Sequence, residues 1–95
     1  MTKIKKHMLL EFERLGVGIV IKIHRYSETL LGPESARADN SGVLFNTYGL
    51  DVLIENKVKY VTVTVVQERG EDDYERIDWG TSRDSGSVTV LDKPL

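Results

Sequence analysis

The chain has two histidines, His7 and His24. An imidazole works as a base or a ligand near neutral pH only when a second polar group orients it. The separation of the two matches no metal-binding spacing. His24 sits where Lys22, His24 and Tyr26 alternate with Ile21 and Ile23, so it is predicted on the polar face of a strand beside Arg25. Without a carboxylate beside it, it reads as an ordinary half-exposed strand histidine.

Glu71, Asp72, Asp73, Glu75 and Asp78 form an acidic run. It lacks the alternating ligands and central glycine of a calcium loop, so a solvated hairpin tip accounts for it. Serines are frequent, but none stands in a Gly-x-Ser-x-Gly setting. Gly16 and Gly18 lack the third glycine of a dinucleotide-binding loop, and no Walker sequence occurs. With no cysteine, disulfides, thiolate nucleophiles and thiolate metal sites are excluded. The expectation is a protein that is not an enzyme and carries no metal or cofactor.

Binding chemistry is better represented. Tyr48, Tyr60, Tyr74 and Trp79 are the main amphipathic aromatics, with Trp79 predicted in the core. Tyr60 and Tyr74 can stack on a base or anchor a protein interface, and Lys22, Arg25, Lys57 and Lys59 can hold phosphate. A second group lies in the irregular stretch 31–42. There Glu34, Arg37, Asp39 and Asn40 offer directional polar contacts between the hinge glycines Gly32 and Gly42. This stretch is predicted to be a mobile recognition loop, with Pro33 able to start a short helix.

The elements that must position these residues are mostly strands. Ile19, Ile21 and Ile23 are predicted as the buried face of a strand over 19–26. Residues 43–48 and 50–55 read as one strand bent at Gly49 or as two short ones, with a bulge expected at the glycine. A tight turn is predicted at Asn56-Lys57. Residues 58–67 alternate most clearly, with Val61, Val63 and Val65 on one face and Tyr60, Thr62 and Thr64 on the other. Val52 and Ile54 join the predicted core. Residues 74–79 and 87–91 are shorter strands, separated by a polar loop from Gly80 to Gly86. Residues 3–15 are ambiguous. Composition favours a helix capped at Gly16, whereas Met8, Leu10 and Phe12 on one face would make a first strand.

The fold class expected is all-β, or β-dominated α+β: one small antiparallel sheet of five or six strands folded as a barrel or sandwich, with an optional N-terminal helix. At 95 residues the chain suits a single domain. Net charge is −2, which gives no global reason to bind nucleic acid. Residues 1–25 carry +4, however, and residues 26–68 and 69–95 carry −3 each. No signal peptide or membrane span is legible, and the lack of cysteine suits a reducing cytoplasm.

The function expected is a non-enzymatic binding protein that occupies a partner surface or sequesters a ligand. Small phage-encoded inhibitors of host proteins share this profile, an analogy that rests on no motif. A protein is the favoured partner. The alternatives are a module for a small nucleotide or single-stranded nucleic acid, and a structural assembly subunit. A homo-oligomer, with a dimer favoured, is expected because the valine-rich run 58–66 needs a neighbour to cover it.

Overall fold

Leu10 and Phe12 decide how the chain begins. In the computed structural model, which describes residues 2–31, 42–69 and 74–91, residues 3–15 hold no helix. The first element is instead strand β1 (Leu9–Phe12). Local composition favours a helix there, but the strand puts Leu10 and Phe12 into the core at 0% and 1% exposure and leaves Glu11 outside. It also fills the gap between the second and last strands, and that tertiary gain outweighs the local propensity. The cost is a pair of tight turns, with His7 and Arg14 at φ 77° and 71°. Gly16, expected to cap a helix, opens the next strand at φ 106°.

Five more strands follow: β2 (Gly16–Leu31), β3 (Gly42–Ile54), β4 (Lys57–Arg69), β5 (Tyr74–Gly80) and β6 (Ser85–Val90). All pairings are antiparallel, each strand lies beside the next, and β6 returns to β1 to close a small barrel. The β-rich expectation therefore resolves to an all-β barrel. No helix among the described residues is long and apolar enough to cross a membrane.

Several boundaries differ from those predicted; β2, predicted over 19–26, runs from Gly16 to Leu31 because β1 pairs with it from Gly16 to Ile19 and β3 from Gly18 to Leu31. The β3–β4 turn is Glu55-Asn56, both at positive φ, one residue earlier than predicted. Two positive-φ residues are what a two-residue hairpin needs to match strand twist, and Lys57 then pairs with Ile54. Gly80, Ser85 and Gly86 belong to strands, so the last loop shrinks to 81–84. Leu31 and Gly42 end β2 and begin β3, while residues 32–41, the core of the predicted recognition loop, lie outside the described residues. So do residues 70–73, including most of the acidic run.

The core gathers Leu10, Phe12, Val20, Leu50, Val52, Ile54, Val61, Val63, Val65 and Trp79, with Ile4 and Met8 from the leading segment. Val52, Ile54 and the three β4 valines lie where the alternation puts them. The isoleucines of β2 do not: Ile19 and Ile21 are only partly buried, Ile23 is 37% exposed, and Val20 is buried instead. Both faces of this segment are apolar, so alternation alone leaves the inward face undecided. Pairing decides it, with Val20 opposite Val52 and Gly18 opposite Ile54. Gly18 has no room for a side chain, since a Cβ there would lie 2.5 Å from Val52 Cγ1 and 2.6 Å from Ile54 Cγ1.

The phase of β4 can be checked directly. Val63→Ala should cost about 1–3 kcal/mol through lost burial and a residual void. Val58→Ala, on the same strand but 58% exposed, should stay within about 0.5 kcal/mol. Urea melts of the two variants measure the contrast, and equal losses would place the wrong face inward.

Short polar contacts tie the loops at the closing seam. Arg14 Nη2 donates to Asp84 Oδ1 at 2.8 Å. That guanidinium, with the Ser85 backbone N–H, holds the Asp84 carboxyl below its ordinary value of 3.8. A carboxyl lowered by folding stabilises the fold above its unfolded value. The contribution is lost as pH falls through the folded value, so this contact should fail only below about pH 4. Carboxyl-carbon NMR should show Asp84 titrating low, and Arg14→Gln should move its midpoint upward. An unchanged midpoint would mean that the pair does not form in solution.

Candidate functional site

The barrel closes over a short stretch only. β1 pairs with β2 from Gly16 to Ile19, and β6 meets β5 only at 78–80. Backbone bonds between Val20 and the 7–8 segment extend the seam by one step. Beyond it, β2, β3, β4 and β5 run on as a sheet. Among the described residues, 22–31 of β2 pair with β3 on one side and with nothing on the other.

Two irregularities break the β2–β3 register, one between Val20 and Lys22 and one between Ile23 and Arg25. The sequence reading places a bulge at Gly49. In fact β3 runs straight through that glycine, and the extra residues, Ile21 and His24, are in the partner strand. A bulge turns its extra side chain to a new direction. Here His24 and Arg25, neighbours that regular alternation would send to opposite faces, both reach the outer face.

There they meet residues from β3 and β4. His24 Nε2 lies 2.8 Å from Asp51 Oδ2, and its ring lies 5.6 Å from that of Tyr60 at an angle of 59°. Arg25 Nη2 donates to Tyr60 Oη at 3.3 Å. Tyr60 stands directly across from Asp51 and leans diagonally over Gly49, where any Cβ would collide with its hydroxyl. Gly49 is therefore the floor of an outer-face groove of about 510 Å³, flanked by Arg25, Ser27, Thr47 and Thr62. Lys22 stands next to Asp51 across the β2–β3 pair. Among the described residues no carboxylate is within ion-pair distance of Arg25 or Lys22.

Of the residues predicted from sequence, the fold unites His24, Arg25 and Tyr60. It separates the others. Lys57 and Lys59 are exposed as expected, but they pair with Ile54 and Val52 and so belong to the opposite face of β4 from Tyr60. Tyr74 is exposed, opposite Glu68 at the far end of β4, roughly 26 Å from Tyr60 at the usual rise per residue. A hydrogen bond to Glu68 pushes its phenol pKa up. Glu34, Arg37, Asp39 and Asn40 lie outside the described residues. Tyr48 is buried on the inner side of the sheet, its ring 4.9 Å from that of Tyr26. Trp79 is in the core, as predicted.

Asp51 is the residue that sequence reading missed. It supplies the carboxylate that His24 needed, from 27 positions away, and only the β2–β3 register shows it. The pair orients the imidazole at the rim of the groove. Among the described residues no cluster of three or more His, Asp or Glu side chains is arranged to hold a metal. No protein-family model, curated protein or solved structure matches the chain.

Proposed function

We propose that this chain is a non-catalytic binding module that holds an extended segment of a protein partner along the open edge of β2. Side chains of that segment read the groove over Gly49. One observation carries the proposal: the side of residues 22–31 that pairs with no other described residue runs directly beside the His24–Arg25–Tyr60 cluster. An unpaired edge offers a row of backbone donors and acceptors, which supply affinity, while neighbouring side-chain sites supply specificity.

The run 58–66 does not compete as a docking edge. It is flanked by β3 throughout and by β5 from Thr62 onward, so within this run only Val58 to Val61 lack a second neighbouring strand among the described residues, four residues against the ten of 22–31. The longer one-sided run among the described residues is that of β2.

A display library of random ten-residue peptides, selected against the full chain, tests the reading. Selected peptides should slow amide exchange within 22–31 and leave β6 unchanged. Protection confined to other strands, or a library that yields no binder, overturns it.

A further inference from the structure

We infer that the groove takes an acidic side chain of the bound segment, a carboxylate held by Arg25 and Lys22 beside the Tyr60 ring. This rests on the edge-binding reading above and names the chemistry that the edge selects. Arg25 gives up one N–H to Tyr60 Oη, and a guanidinium has five donors. That contact holds the head group at the groove while leaving most donors for a ligand. Lys22, next to the groove rather than in its lining, adds a second cation from the same strand and face.

The carboxylate nearest the groove, Asp51, stands directly across from Lys22 but forms no ion pair with either cation. Asp51 faces His24 Nε2 at 2.8 Å. Glu28, also on β2, is opposite Asn46 on the inner side of the sheet and receives the Tyr26 hydroxyl at 3.5 Å. The remaining flanks are hydroxyls, Ser27, Thr47 and Thr62, which donate readily to an oxyanion.

Other occupants fit less well. A basic side chain would meet Arg25 and Lys22. An apolar one would desolvate three hydroxyls and a guanidinium and return no hydrogen bond. The reach is right as well. A strand added to β2 lies about 4.8 Å away, and its outward side chains come within cross-strand distance of Arg25.

The peptides selected above provide the test. Binders should be enriched in Asp or Glu at one position. Replacing that residue by Gln or Asn should weaken binding about tenfold, the scale of one charge-assisted hydrogen bond. Arg25→Gln should weaken the acidic peptide by a similar factor and leave its amide counterpart nearly unchanged, so the two substitutions are not additive. Because Arg25 is exposed, the variant should keep the parent melting curve, which calorimetry checks. Lys22→Gln provides the same comparison at the second cation. Peptides that protect 22–31 but show no acidic preference, or that lose equal affinity to Arg25→Gln with or without the acid, overturn this inference and leave edge binding standing. Peptides that fail to protect 22–31 overturn both.

Discussion

Trp79→Ala is expected to cost about 3–5 kcal/mol, a large part of the stability of a domain this size. Trp79 is 2% exposed and is the largest of the fully buried side chains. It sits where the barrel closes. Its Nε1–H donates to the Glu13 carbonyl at 3.2 Å, and Gly86 of β6 is so near that a Cβ there would lie 2.7 Å from that nitrogen. Glu13 in turn ties the β1–β2 turn to β6, its N–H donating to the Ser87 carbonyl at 2.9 Å. Removing the indole opens a void and frees a carbonyl at the seam. Trp79→Phe keeps most of the apolar volume and loses the hydrogen bond, so a smaller loss of about 1–2 kcal/mol is expected. Urea unfolding followed by far-UV circular dichroism measures both, since this is the single tryptophan and its fluorescence disappears with it. A loss below about 1 kcal/mol for the alanine variant would contradict the closure of β1 against β6.

Gly49→Ala should separate function from stability. Its Cβ would occupy the place of the Tyr60 hydroxyl, the far end of a side chain that is 46% exposed and free to swing outward. Gly49 does not use a left-handed backbone conformation, so alanine adds no backbone strain. Gly-to-Ala exchange at such a position gains about 0.4–1 kcal/mol from the unfolded chain, roughly offsetting the lost Tyr60 contact. Stability is therefore expected to stay within about 1 kcal/mol of the parent. Peptide binding should fall about tenfold or more, because Tyr60 can no longer hold Arg25 and the groove floor is raised. Melting curves and titration with a selected peptide, run side by side, measure the two quantities. Full binding by the alanine variant would remove the groove from recognition.

The segment on which the proposed function rests was the hardest to read. His24 and Arg25 were candidates from type alone, and Tyr60 from its place on the polar face of the valine strand. Their convergence was not legible. It depends on a bulge that gives no local signal in β2, where Ile21 and His24 look like regular members of an alternating run. The glycine that does stand out, Gly49, marked the right place for a different reason: it admits the Tyr60 ring rather than bending its own strand.

The sequence by itself determined that this chain builds sheet. It set the phase of β4, the burial of Val52, Ile54 and Trp79, and the turn of the β3–β4 hairpin to within a residue. Those properties follow from period-two alternation and turn chemistry, which act between near neighbours. Only the tertiary structure decided the rest. It chose strand over helix for Leu9–Phe12, because the barrel needed β1 to join β2 to β6. It chose Val20 over Ile19 and Ile21, because both faces were apolar and only register against β3 separates them. It brought Asp51 to His24, because strand register is a long-range property that no local pattern encodes.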